Sequence, residues 1–319
     1  MVLDQTNKRK TINIVMAVLA IIVVIATICA TVFVVTSEQD IEPTDDSTSE
    51  STDDNNEDDE DDEDDDWDGS DYYEEEPPAR IDFQPVIDSW VNSVGGNKGI
   101  VIYDLTLGDV VGEYNANQKF ATASLYKLFV VYEGYRRLDN ETWSKDDIVG
   151  ATNRPVIDCL DLAIRVSHSP CAETLWGMIG RDELNAIVQT DFNLPDMWVT
   201  SLSATPYEIA DMMSNFYYHT EIDDEELVSR MLDSFLNQPK TDYDWRQGLP
   251  SGFSEAAKVY NKVGWNYDPS QRAWTIYDDA AIVEFTEAGR DYIVVVMTNY
   301  VDYSQIKRLG SEIEAKFME

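Results

Sequence analysis

The chain has 319 residues, 43% of them hydrophobic, with 62 acidic against 23 basic side chains and a formal net charge of −39. So acidic a chain lacks the basic face that phosphate neutralisation requires, which excludes electrostatic nucleic-acid binding. Two His and three Cys leave too few ligands for a zinc site built on those residues.

The first predicted element is a membrane anchor. Lys8, Arg9 and Lys10 lie in residues 1–11, and an uncharged, largely apolar run follows over 12–36. About 20 apolar residues are enough to cross the hydrocarbon core as a helix. Basic residues before the span and acidic ones after it place the N-terminus in the cytoplasm and the remainder outside the cell. The alternative is a cleaved signal peptide, for which Ile28-Cys29-Ala30-Thr31 is a poor cleavage site. Cys29 reads as an apolar filler of the span.

Residues 37–78 hold 23 acidic and no basic side chains and end in Pro77-Pro78. Such a segment buries too little apolar surface to offset its ordering entropy, and its charges repel. It reads as a disordered tether, with a mean span of at least ~36 Å. Within it, Asp64, Asp66, Asp68, Gly69 and Glu75 fit the calcium-loop pattern D-x-D-x-D-G-x5-E. In so acidic a run chance matches come easily, and plain solvation is the alternative.

Residues 79–319 have the composition of one mildly acidic globular domain. Phe83, Val86, Ile87, Trp90 and Val94 recur at helical spacing, closed by Gly95-Gly96. Gly99–Tyr103 and Val110–Tyr114 read as a hairpin. Helices are predicted over Leu125–Leu138, Val156–Val166, Cys171–Ile179 after Pro170, Pro206–Tyr217 with Thr205 as cap, and Glu225–Leu236. Strands follow at Ala257–Gly264, Trp274–Ile276, Ala280–Phe285 and Tyr292–Thr298, then a helix over Tyr303–Phe317. Strands at both ends and helices between them predict an α+β fold. One antiparallel sheet would be assembled from both chain ends, with a central helical subdomain. Outside the cell, Cys159 and Cys171 are disulfide candidates, closing a loop worth about 3 kcal/mol. Two buried free thiols are the alternative.

Ser124-Leu125-Tyr126-Lys127 is an S-x-x-K at a helix start. Positions i and i+3 share a helix face, so the Lys amine can reach the Ser oxygen. A serine hydroxyl needs an adjacent base, and a partly desolvated Lys can be that base because burial lowers its pKa. Alone, the pattern is common. Here Ser167-His168-Ser169 follows between two helices, and Lys262-Val263-Gly264 follows in a predicted strand.

This order of S-x-x-K, an S-D-N-like triplet and a K-T-G-like triplet resembles the serine β-lactamase and penicillin-binding-protein superfamily, most closely its class A branch. The resemblance spans nearly all of residues 82–319. It implies Ser124 as acylated nucleophile, Lys127 as base, Ser167 as proton relay to the leaving nitrogen, and Lys262 as organiser of that serine and attractor of a substrate carboxylate. It implies an oxyanion hole from the backbone N–H groups of Ser124 and Trp265, with Ser169, Val263 and Gly264 along the substrate. No metal or organic cofactor is needed. The implied substrate is a β-lactam or a D-alanyl cell-wall peptide.

The sequence departs from that pattern. Ser169 stands where the family has Asn, His168 replaces Asp, and Val263 replaces a hydroxyl residue. Glu183-Leu184-Asn185 superficially matches the deacylating Ω-loop motif but lies in the helix after Gly180, and only Asp191 and Asp196 follow. Acylation is therefore expected to survive and deacylation to be slow. A non-catalytic binder of wall peptide or a partner is the second expectation. A Ser-His-Asp arrangement using His168 or His219 is disfavoured, because adjacent side chains rarely meet properly. His219 reads as a helix-end residue, and Trp265, Trp245 and Tyr243 are candidates to line the cleft.

Overall fold

A computed structural model describes residues 79–319 except Asp242. The expected anchor (12–36), tether (37–78) and calcium pattern lie outside the described residues. Among the described residues no helix is long and apolar enough to cross a membrane.

The chain enters through helix α1 (Gln84–Ser93) and the hairpin of β1 (Asn97–Asp104) and β2 (Asp109–Tyr114). Short strand β3 (Phe120–Ala121) leads into a 3-10 turn, Ala123–Tyr126, and on into α2 (Lys127–Asp139). The two-residue strands β4 (Ile148–Val149) and β5 (Arg154–Pro155) come next, followed by α3 (Val156–Arg165), α4 (Ser169–Ile179) and α5 (Arg181–Thr190). Then come β6 (Ser203–Ala204), α6 (Pro206–Tyr218), α7 (Glu225–Leu236) and the single turn α8 (Leu249–Gly252). The C-terminal part supplies β7 (Lys258–Asp268), β8 (Ala273–Phe285), β9 (Arg290–Asn299) and α9 (Tyr303–Phe317).

Five strands form one antiparallel sheet in the order β2-β1-β9-β8-β7, so β1 from the N-terminal part pairs directly with β9. The expected sheet from both chain ends is therefore present, with β7 on one edge. One face packs on α1 and α9 through Ile87, Trp90, Ile306, Leu309 and Ile313. Trp90 Nε1 donates to the Gln305 carbonyl at 2.8 Å and ties those two helices. The other face packs on the helical subdomain around α2, which is buried along almost its whole length.

The predicted helices fall where the periodicity put them. Thr205 closes a capping box with Glu208 at the start of α6. Two expectations shift. Trp274–Ile276 and Ala280–Phe285 are one strand, because Asp278 and Asp279 stand buried inside the sheet rather than breaking it. Asp279 accepts from Asn261 Nδ2 at 2.9 Å and Leu249 N at 2.8 Å; Asp278 accepts from Thr298 N at 2.8 Å. The helix expected from Leu125 begins instead as the 3-10 turn and becomes α-helical at Lys127. Cys159 on α3 and Cys171 on α4 are joined as a disulfide.

Candidate active site

Ser124 lies in the 3-10 turn, where residues three apart eclipse one another, so Lys127 falls on the same side. The turn is held from both flanks. Strand β3 pairs with β6, Thr122 N donates to Leu202 O at 2.9 Å, and Leu125 N donates to Thr122 O at 2.7 Å. Ala123 adopts φ 41°, and Ser167 adopts φ 53°. Left-handed backbone at non-glycine residues is strained by about 1–2 kcal/mol each and clusters at functional sites.

Lys127 is fully buried. Its Nζ contacts Ser167 O at 2.6 Å, Ser167 Oγ at 3.0 Å and Ser169 Oγ at 3.0 Å. Lys262, on edge strand β7, brings its own Nζ to Ser167 Oγ at 3.0 Å and donates to Val263 O at 2.7 Å. Two amines therefore flank one hydroxyl. Burial disfavours charge on either, and their mutual repulsion adds to it. Burial lowers Lys127 to about 8, against an opposing pull from the Glu173 carboxylate. Lys262 is pushed well below the usual lysine range by burial and by Lys127, with Asp279 opposing. A neutral amine beside a serine is what general-base work needs near neutral pH.

Four sequence-predicted residues, Lys127, Ser167, Ser169 and Lys262, are thus brought into one hydrogen-bonded cluster beside the Ser124 turn. Ser169 contacts the lysine directly, a role its spacing alone did not reveal. Gly264 packs β7 against the turn. A Cβ there would lie 2.9 Å from Thr122 O and 3.3 Å from Leu125 Cγ, so only glycine permits the approach.

The side chains of Val263 and Trp265 are elsewhere. They join the apolar layer on the α1/α9 face, because neighbours in a strand point to opposite faces and Lys262 and Gly264 occupy the Ser124 side. Trp245 stacks on Trp265 at 4.7 Å, and the Tyr243 ring lies 5.7 Å from Trp265. These three aromatic rings, expected to line the cleft, form one cluster with one another beside β7.

The Ser-His-Asp arrangement is not formed either. His168 is the N-cap of α4, its Nδ1 accepting from Cys171 N at 3.2 Å, and its pKa is lowered by burial and by Arg154 and Lys127. His219 ends α6 in left-handed backbone with Nδ1 toward Ile222 O, as a helix-end residue should.

Glu173 is the carboxylate that sequence reasoning missed. It accepts from the Tyr126 hydroxyl at 2.6 Å and pairs with Arg181 at 2.8 Å, one turn into α4. The other candidate acids are occupied or distant: Asp191 pairs with Arg136, Glu183 with Arg137, and Asp196 is exposed. Among the described residues no carboxylate hydrogen-bonds to Ser124 or Lys127.

The chain matches the Beta-lactamase2 family, described as the beta-lactamase enzyme family, over residues 82–317. It belongs to that family, within the serine β-lactamase and penicillin-binding-protein superfamily. Among solved structures it is similar to an ancestral class A β-lactamase (GNCA), with 15% identity and a TM-score of 0.61. That match covers 73% of this chain and 99% of the other. It is also similar to PBP-A, with 17% identity and a TM-score of 0.62, over 76% of this chain and 98% of the other. At such identities the likeness establishes the fold. No curated protein matches.

Proposed function

We propose that the protein is a membrane-anchored serine acyl-transfer hydrolase whose domain lies outside the cell and acts on a β-lactam or a D-alanyl wall peptide. The observation that carries this reading is Ser167 Oγ held 3.0 Å from both Lys127 Nζ and Lys262 Nζ. In the proposed reaction Ser124 Oγ attacks the substrate carbonyl carbon while its proton passes to neutral Lys127. The C–N bond then breaks, and the nitrogen keeps the electron pair. Ser167 gives that nitrogen a proton and is reprotonated by Lys127, leaving an ester on Ser124 and Lys127 again neutral. Backbone N–H groups of Ser124 and Trp265 would receive the oxyanion, each donor worth about 3 kcal/mol. Water then releases the acyl group. With no carboxylate bonded to Lys127 or Ser124 among the described residues, that last step is slow.

A second reading, a binder of wall peptide or a partner without turnover, is favoured by one observation: Lys127 Nζ bonds to Ser167 and Ser169 rather than to Ser124. The two are separated by assaying the full chain for cephalosporin hydrolysis and for D-alanine release from a D-alanyl-D-alanine peptide. The acyl-transfer reading expects slow turnover of at least one substrate, reduced about 10²–10⁴-fold in Lys127→Ala. Equal rates in native protein and Lys127→Ala would remove the proposed base. Inertness toward both substrates would favour the binder.

A further inference from the structure

Strand β8 carries two consecutive carboxyls, Asp278 and Asp279, both fully buried. Alternation sends them to opposite faces of the sheet. Asp279 pairs in register with Val263, and on that face Asn261 Nδ2 and Leu249 N donate to it at 2.9 and 2.8 Å. Asp278 pairs in register with Gly264, on the face that carries the Ser124 turn. Its Oδ1 accepts from Thr298 N at 2.8 Å. Its Oδ2 is buried with no hydrogen-bond donor among the described residues. Among those residues no Lys or Arg forms an ion pair with it.

What lies beside Oδ2 is an acceptor. Gly264 leaves a gap in which an added Cβ would sit 3.3 Å from Asp278 Oδ2 and 2.9 Å from the Thr122 carbonyl oxygen. The two oxygens therefore line one small gap beneath the nucleophile turn. A carbonyl oxygen has two lone pairs, and Leu125 N occupies one of them at 2.7 Å to close that turn. The Thr122 hydroxyl is itself buried without a partner, so it gives Oδ2 no proton. The Tyr303 hydroxyl is committed to the carbonyls of Gly264 and Asp278, at 3.1 and 3.3 Å. An ionised carboxylate facing a carbonyl here would be a buried, unpaired charge, whereas a protonated carboxyl has an O–H to donate. Burial and the Asp279 charge push Asp278 well above the usual carboxylate range, against the Thr298 N–H. Asp279 is itself raised by burial, to about 7, with Asn261, Leu249 N, Arg246 and Lys262 opposing.

From the orphaned oxygen, the facing carbonyl and the lack of a paired cation, we infer that Asp278 is a neutral carboxylic acid whose Oδ2–H donates to the Thr122 carbonyl and holds the turn that presents Ser124. Asp278 is a positioning residue, touching the turn and not the substrate. Its effect on acylation rests on the acyl-transfer reading proposed above. The proton and the hydrogen bond do not.

Two substitutions in the full chain test it. Asp278→Asn keeps the shape and an N–H donor and cannot ionise, and Asp278→Leu keeps the volume without a donor. A carboxyl whose pKa is raised on folding holds a proton that the unfolded chain releases above about pH 4, so it weakens the fold as pH rises. The melting temperature of the native chain is therefore expected to fall, relative to that of Asp278→Asn, by several degrees between about pH 5 and pH 7.5. A difference between the two that does not change with pH would mean an ionised carboxylate and overturn the proton. Amide hydrogen exchange over residues 120–127 is expected at the native rate in Asp278→Asn and about tenfold faster in Asp278→Leu. Native exchange in Asp278→Leu, or equally fast exchange in both variants, would overturn the hydrogen bond. Acylation by benzylpenicillin is expected to follow the same order, kept in Asp278→Asn and about tenfold slower in Asp278→Leu. If Asp278→Leu does not fold, the pH dependence and the exchange of Asp278→Asn still decide. If the native chain is not acylated, the acyl-transfer reading fails, while melting and exchange still decide for or against the Asp278 hydrogen bond.

Discussion

At the scale of single residues, the proposed chemistry rests on one hydroxyl between two buried amines. Ser167 Oγ lies 3.0 Å from Lys127 Nζ and from Lys262 Nζ, and neither lysine keeps its ordinary pKa there. Lys127, at about 8, is positioned to accept a proton in mildly basic solution. Glu173 works against this, because its charge favours the ammonium. Glu173→Gln therefore lowers the Lys127 pKa further, and more neutral amine is present at a given pH. The acid limb of the acylation rate, measured with a penicillin across pH 5–10, is expected to move to lower pH in this variant. An unmoved or raised limb would mean that Lys127 is not the group that titrates. The S-x-x-K and both later triplets were legible because their chemistry is written in short spacings. Glu173 was not, since its link to Tyr126 and Lys127 joins two helices across 47 positions. The disfavoured role for His168 has a local reason: its ring serves the first turn of its own helix, a use that any side-chain acceptor at that position can fill.

Elements carry these residues into place. The edge strand β7 sorts its side chains by alternation: Lys262 and Gly264 face the Ser124 turn, and Val263 and Trp265 face α1 and α9. That alternation was available in the sequence. Strand β8 was less legible. Two consecutive aspartates look like a break between strands, and only partners from β7, β9 and α8 make their burial tolerable. Helix boundaries fared best, where Pro170 and Thr205 mark first turns chemically. The contact of β7 with the Ser124 turn gives a direct test. Gly264→Ala places a Cβ 2.9 Å from the Thr122 carbonyl, and backbone must shift to relieve it. The acylation rate is expected to fall about 100-fold while the protein still melts cooperatively. A native rate in this variant would show that the close packing does not position the nucleophile.

Across the whole molecule, the sheet joins the two chain ends, and the helical subdomain supplies Ser124, Lys127, Ser167 and Ser169 opposite Lys262. That division was readable from the order of strand and helix signals, because antiparallel strands at both ends have few ways to close on one core. The family membership and the two solved relatives agree with it. The short segment between α5 and β6, only residues 191–202, leaves no room for a longer loop carrying a deacylating acid. The protein is therefore expected to acylate and then stall. The most direct measurement is the intact mass of the full chain after incubation with benzylpenicillin, beside Ser124→Ala. The predicted result is one penicillin-sized adduct on the native protein that persists after free penicillin is removed, and none on the variant. An equal adduct on Ser124→Ala, or no adduct on the native chain with any of several β-lactams, would contradict Ser124 as the nucleophile.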